Sequence, residues 1–135
     1  MQINDLLNTI HDAEVLGINS ESQSKVIVSL KTDQLCNIKL EFNGVEFFRF
    51  TDIIQQNIIS RLVFLNFNEH TKTDIAYYLK WATSLTDSTS YLDKEMIDQI
   101  MDKIHSQELQ IVYFEPSSGM ESVVVFKQLQ IINTD

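Results

Sequence analysis

The chain has 135 residues, of which 44% are hydrophobic and 21% are charged, a composition typical of one globular domain that needs no disulfide or metal to fold. Its 10 Lys and Arg residues are outnumbered by 19 Asp and Glu residues, and the net charge of −9 argues against nucleic acid or an anionic membrane as a partner. Three glycines and one proline exclude collagen-like and linker-like sequences. We therefore expect residues 1–135 to form a single domain.

The cysteine content and the start of the sequence predict a cytoplasmic protein. Cys36 is the only cysteine, so no intrachain disulfide can form, and its place in an apolar alternation predicts a small core residue. The first twenty residues contain acidic side chains but no Lys or Arg, whereas a secretory signal begins with basic residues. No apolar run approaches the roughly eighteen residues that a membrane span requires.

The first part of the chain is predicted to form a short helix followed by strands. Residues 4–11 have the apolar spacing of an amphipathic helix. Residues 14–18 and 25–31 are predicted strands, the second because apolar and polar residues alternate along it.

The dipeptide Asn43-Gly44 separates two apolar runs and predicts a tight hairpin, because it favours the positive φ angles of a two-residue turn. In that register Phe47 shares the face of the residues that flank the turn, whereas Phe48 and Phe50 face the other way. Either both faces of this strand are covered, or a bulge after Phe47 turns the aromatic side chains. If these aromatic side chains are not covered, they form an exposed apolar patch that would bind a partner.

The second part of the chain is predicted to contain the main helices. Residues 52–61 have helical spacing with Asp52 as a cap, although their isoleucine content leaves a strand possible, and residues 62–67 form a predicted buried strand. Helices are then predicted after Thr71 and over residues 91–105.

The strand pattern returns at the end of the chain. Residues 109–114 and 122–126 are predicted strands that flank a longer loop, and residues 129–132 form a predicted final strand. Strands at both ends with two consecutive helices between them predict an α+β domain, mainly an antiparallel β-sheet with two principal helices in the second half.

Patterns of catalytic or metal-binding residues are weak throughout the sequence. His70 and Asp74 lie one helical turn apart, but no third ligand is near, and a carboxylate at a helix start explains the pair. Residues 117–119 lack the Gly-x-Ser-x-Gly arrangement of a serine nucleophile, so a turn explains them. We therefore predict no catalytic residue, no cofactor and no metal site.

Four short segments, His11–Val15, Phe42–Val45, Asn57–Ile59 and Ser117–Glu121, resemble in their order small uncharacterised bacterial proteins of the YxiG-like type. The resemblance spans nearly the whole chain, and some proteins of this type are suspected immunity proteins associated with toxin loci. It implies a bacterial cytoplasmic protein that acts by binding, and it transfers no catalytic residue.

The sequence as a whole predicts a non-enzymatic cytoplasmic binding protein, of which an immunity protein that occludes a toxin is one form. An acidic surface would steer a basic protein partner and raise its association rate. The predicted partner-binding residues are Glu95, Asp98 and Asp102 on the outer face of the second principal helix, together with Phe48 and Phe50 in the aromatic run.

Two alternative functions stay open at the level of the sequence. In a self-associating structural domain, Phe48 and Phe50 would bury against a second copy of the chain in a homodimer. A small ligand-binding enzyme would instead have a concave pocket with convergent polar groups, such as Tyr77, Trp81 and His70, and a shifted pKa among them.

Overall fold

The computed structural model describes residues 10–87 and 89–134, so the helix predicted for residues 4–11 lies almost wholly outside the described residues. Two helices lie between the fifth and sixth of eight strands, which confirms the predicted α+β fold. In chain order the elements are β1 (Ala13–Ser22), β2 (Lys25–Lys31), β3 (Asn37–Asn43), β4 (Phe47–Thr51), β5 (Asn57–Phe64), α1 (Lys72–Ala82), α2 (Lys94–His105), β6 (Gln110–Ser118), β7 (Glu121–Phe126) and β8 (Gln128–Asn133).

The strands form one antiparallel sheet in the order β4-β7-β6-β5-β1-β2-β3-β8. Its two outer strands are continuations of inner ones, because β4 follows β3 after three residues and β8 follows β7 after one. Hydrogen bonds from Lys127 N to Asn43 O (3.0 Å) and from Glu46 N to Val125 O (2.9 Å) carry the pairing across both connections. The sheet therefore curls round until its two ends meet.

The concave side of the curled sheet encloses a first hydrophobic core. Alternate side chains of a strand point to the same face, and those of β2 and β3 that point inward are almost completely buried. Phe42 lies at the centre of this core, with its ring 4.9 Å from that of Phe126 and 6.0 Å from that of Phe114.

A second hydrophobic core lies between the convex side of the sheet and the two helices. Val123 and Val125 of β7 contribute to it, whereas Val124 and Phe126 contribute to the first core. Strand β7 is therefore buried on both faces, which explains its continuous apolar sequence.

The predicted hairpin at Asn43-Gly44 is wrong. Among the described strands, β3 pairs with β2 and β8, and β4 pairs with β7, so the two strands on either side of the dipeptide are not partners. Gly44 does adopt a positive φ of 65°, as a tight turn would require. The chain bends there without reversing, because β3 pairs with β2 and β8 on its two sides and β4 pairs with β7.

The predicted register after the bend is also wrong. Phe47 packs into the second core, whereas Phe50 packs against the first core, to which Phe42 belongs. Of the two explanations offered by the sequence, coverage of both faces of β4 is the one that the structure bears out for these two rings. Phe48 is the exception, because 43% of it is exposed.

The helix predicted for residues 52–61 is wrong, and the strand alternative is confirmed from Asn57 onward. Asp52 caps no helix and adopts a positive φ of 59° in the segment between β4 and β5. The β-branched isoleucines of this segment favour a strand, and β5 provides it with β1 and β6 as neighbours.

The two principal helices are confirmed, and side-chain caps determine where they begin. Thr71 Oγ1 accepts a hydrogen bond from Asp74 N (3.1 Å) ahead of α1, and Asp93 Oδ1 accepts one from Met96 N (2.8 Å) ahead of α2. The strands predicted at residues 109–114, 122–126 and 129–132 are confirmed too, although β6 continues to Ser118 and shortens the loop. Cys36 is half-buried just before β3 rather than in the core, which corrects its predicted place.

Candidate functional site

A groove with a volume of about 970 Å³ lies between α1 and α2 and the segment that connects them. Both helices use their apolar faces to cover the sheet, so a channel stays open between their outer sides. We call this channel the helical groove.

The floor of the helical groove is apolar. The second core supplies it, through side chains that it buries completely or in part. These floor residues are Ala76, Trp81, Leu92, Ile97 and Met101.

Hydroxyl groups line the sides of the helical groove, carried by Thr73, Tyr77, Ser84, Thr89 and Ser90. Several hydrogen bonds fix the connecting segment that bears three of them. Thr83 Oγ1 and Ser90 Oγ are 2.5 Å apart, and Tyr91 N donates to Thr83 O at 2.9 Å. The end of the groove formed by this segment is therefore held in place by the buried Thr83.

The charged residues of the helical groove are mostly basic. They are Lys72, Lys80, Lys94, Asp87 and Asp98. All five are exposed, and Asp87 is paired with Arg49, whose guanidinium lies 3.1 Å from Asp87 Oδ1. The groove thus differs in charge from the chain as a whole.

Arg49 of strand β4 contacts two residues that line the helical groove, Trp81 and Asp87. Its guanidinium lies 4.3 Å from the centre of the Trp81 ring, within the range of a cation–π contact. It also donates from Nη1 to Trp81 O at 3.0 Å and from Nη2 to Asp87 at 3.1 Å. One side chain thereby joins the sheet, the end of α1 and the connecting segment.

Large apolar side chains are exposed along the same helical layer. The exposed fraction is 63% for Tyr77, 86% for Leu85, 57% for Tyr91 and 44% for Met96. Tyr77 lines the helical groove, Leu85 and Tyr91 adjoin lining residues in the connecting segment, and Met96 belongs to α2. Tyrosine, tryptophan and methionine are enriched at protein–protein interfaces, so the surface has the composition of a docking site.

The predicted acidic surface borders the helical groove. Glu95, Asp98 and Asp102 are exposed on α2, as predicted, and Asp98 is also a lining residue. The apolar spacing over residues 91–105 also predicts that Met96 is buried with Ile97 and Ile100, but its side chain is exposed.

The two predicted aromatic residues lie elsewhere. Phe48 is exposed with its ring 5.7 Å from the half-buried Phe50, and the Phe50 ring is 6.3 Å from Phe114 in the first core. Phe47 and Arg49, which alternate with them along β4, point toward the helices. The structure therefore places Phe48 and Phe50 on the opposite face of β4 from the helical layer, apart from the acidic surface.

The polar groups predicted for a ligand pocket are brought together only in part. Tyr77 and Trp81 do line one groove, whereas His70 is not among its lining residues. His70 is half-buried, and its Nδ1 atom is buried without a hydrogen-bond partner.

Among the described residues, none of the groups with a shifted pKa lines the helical groove; they are Lys25, Glu41, Arg61, Tyr78 and Tyr113. Burial raises the pKa of Tyr78, whose ring packs 4.6 Å from that of Tyr113. Burial also raises the pKa of Tyr113, and so does the hydrogen bond of 2.6 Å that Tyr113 donates to Glu121 Oε2. Among the described residues, no group of three or more His, Cys, Asp or Glu side chains could hold a metal ion.

Comparison of the chain with protein-family models, curated proteins and solved structures finds no match. The resemblance to proteins of the YxiG-like type therefore stays a prediction. In the described part of the chain, no helix is long and apolar enough to cross a membrane.

Reasoning from the sequence missed the lysines of the helical groove. Lys72, Lys80 and Lys94 belong to two different helices, and no spacing in the sequence marks them as a group. The Tyr77–Trp81 pair was the available signal, because residues one helical turn apart share a face.

Proposed function

We propose that this protein is a non-enzymatic binding protein that docks another protein in the helical groove. The observation that carries the proposal is the exposure of Tyr77 in a groove with an apolar floor and of Leu85 and Tyr91 in the segment that closes one end of it. An immunity protein that occludes a toxin is one form of this function.

The size of the exposed surface favours a protein over a small ligand. Leu85 and Tyr91 are exposed and adjoin lining residues but do not line the helical groove itself, so the apolar surface extends beyond it. A small ligand is mostly enclosed by its pocket, whereas a protein partner also covers the surroundings of a groove. Aromatic anchors at the centre of such a surface supply most of the binding energy.

The test compares two triple variants of the full chain as baits in its native cytoplasm. The groove variant carries Tyr77→Ser, Leu85→Ser and Tyr91→Ser, and quantitative mass spectrometry of captured proteins is the readout. The control variant carries three serines at other exposed apolar positions, Leu16, Leu35 and Phe48. Because all six side chains are exposed, we expect both variants to fold, which circular dichroism and thermal unfolding check.

We expect the wild-type chain and the control variant to retain a common partner that the groove variant loses by at least about tenfold, since each anchor supplies roughly 1 kcal/mol or more. Titration calorimetry with the purified partner should then give one binding site per chain. Loss of the partner in the control variant alone would place binding at Phe48 or another control position and contradict the proposal. Light scattering would then show whether the partner is a second copy of this chain.

A further inference from the structure

The helical groove carries more basic than acidic groups, whereas the net charge of the whole chain is negative. Lys72, Lys80 and Lys94 are exposed and take part in no ion pair among the described residues, although the chain carries −9. Of the two acids in the groove, Asp87 is already paired with Arg49. The groove therefore offers free ammonium groups above an apolar floor.

We propose that the segment docked in the helical groove is an acidic amphipathic helix of the partner protein. This inference rests on the proposed function and names the chemistry of the segment that it binds. Apolar side chains of the helix contact the floor at Trp81 and Met101, and its carboxylates lie beside the three lysines.

The shape of the groove fits a helix. Two helices that pack side by side on a sheet leave a channel in which a third helix can lie with its apolar face down. The 11 residues of α1 extend over about 16 Å, which corresponds to about three turns of a docked helix. Lysines come from both α1 and α2, so carboxylates on both flanks of the docked helix find cations.

The charges around the groove disfavour a nucleic acid as the occupant. Glu95, Asp98 and Asp102 lie on α2 next to the groove and would repel a continuous phosphate backbone. A short helix, by contrast, can place a few carboxylates beside the lysines and none beside these acids.

A fluorescence titration of the full chain tests the proposal directly. Trp81 is the only tryptophan of the chain and lies in the groove floor, so its emission reports occupancy. Three tryptophan-free synthetic peptides of about sixteen residues share one leucine face and carry Glu, Gln or Lys at every polar position. An oligothymidylate of similar length serves as the nucleic-acid probe.

We expect the Glu peptide to change the Trp81 emission at lower concentration than the Gln peptide, and the Gln peptide at lower concentration than the Lys peptide. Lys72→Glu, Lys80→Glu and Lys94→Glu together should weaken the Glu peptide roughly tenfold or more, because three exposed charge pairs are lost and reversed. A control variant with Lys39→Glu, Lys103→Glu and Lys127→Glu has the same net charge and should weaken it much less.

Several results would overturn the inference. The Lys peptide or the oligothymidylate could bind more tightly than the Glu peptide. The two lysine variants could lose affinity for the Glu peptide equally. The Glu peptide could leave the Trp81 emission unchanged. If the serine variant of Tyr77, Leu85 and Tyr91 still loses its captured partner while the groove-lysine variant keeps it, the proposed function stands and the acidic helix is wrong. If the serine variant keeps that partner, the proposed function itself fails.

Discussion

Asn57 shows how one side chain joins segments that are far apart in the chain. Its Oδ1 accepts hydrogen bonds from Ile54 N (2.9 Å) and Met120 N (3.1 Å), and its Nδ2 donates to Ile54 O (2.8 Å). The residue is buried, so these bonds replace the water that the backbone groups lose. Gly119 lies directly against this arrangement in the turn between β6 and β7.

We predict that Gly119→Ala lowers the free energy of unfolding by about 1–3 kcal/mol. Gly119 has a φ of 79°, which strains any residue with a Cβ atom. A Cβ atom would also contact Asn57 Oδ1 and lie 2.7 Å from Ile54 Cγ1, so the hydrogen-bonded turn would have to shift. Urea denaturation followed by circular dichroism measures the change.

Gly17→Ala is the matched control for this prediction. No atom lies within 4 Å of a Cβ built on Gly17, and its φ is not in the left-handed region. Its unfolding free energy should stay within about 0.5 kcal/mol of the wild-type value, as for other exposed substitutions. Equal destabilisation at both glycines would contradict the prediction, because Gly17 has neither the positive φ nor the close contact with Asn57.

At the scale of single residues, the sequence predicts the backbone conformation of a residue better than the contacts that the residue makes. Gly44 was predicted to have a positive φ and has one, but its neighbours in space are not those of a hairpin. The Asn57–Met120 hydrogen bond spans 63 residues, and no local pattern announces it.

At the scale of elements, Arg49 attaches the helical layer to the sheet. Strand β4 has a single neighbour in the sheet, β7, and α1 packs mainly on β7. We predict that Arg49→Met lowers the free energy of unfolding by about 1–3 kcal/mol, because Trp81 O loses its donor and the Trp81 ring loses its cation. The emission of Trp81 should shift as well, which denaturation and fluorescence spectra record together.

Arg61→Met is the control for the Arg49 substitution. Arg61 makes two hydrogen bonds to the Glu115 carboxylate, at 3.1 and 3.2 Å, but its side chain is exposed. Exposed ion pairs contribute little, so the loss should stay below about 1 kcal/mol and leave the Trp81 emission unchanged. A larger loss at Arg61 than at Arg49 would contradict the role of Arg49 as the attachment of the helical layer.

Helices and strands with a clear apolar pattern of their own were predictable from the sequence, whereas the pairing of strands that are distant in the chain was not. The periodic apolar residues predicted both helices and the Thr71 pattern predicted the cap of α1, whereas the cap Asp93 and the start of α2 at Lys94 were not predicted. One partner of β3, β8, and the partner of β4, β7, lie about 80 residues later in the chain, so the Asn43-Gly44 pattern suggested a hairpin that does not form. The groove depends on the placement of both helices on the sheet, and only its Tyr77–Trp81 pair was visible beforehand.

At the scale of the whole molecule, the net charge of −9 attracts a basic partner, whereas the lysines of the groove attract an acidic one. The net charge acts over distances of about 10 Å at moderate salt, whereas the lysines act on a docked segment within a few ångströms. The charge of the chain alone predicted a basic partner, and the groove favours an acidic segment. The acidic face of α2, formed by Glu95, Asp98 and Asp102, adjoins the basic groove, because Asp98 also lines the groove.

Neutralising this face therefore discriminates between the two kinds of partner. For Glu95→Gln, Asp98→Asn and Asp102→Asn combined, we expect faster association with the Glu peptide at low salt, by roughly two- to tenfold, because repulsion next to the groove is removed. Stopped-flow measurement of the Trp81 emission gives the rate. A control variant with Asp33→Asn, Glu46→Gln and Glu108→Gln changes the net charge equally but leaves this face intact, so its rate should rise less. With the natural partner in place of the Glu peptide, slower association in the α2 variant would indicate a basic partner, as the net charge by itself predicts.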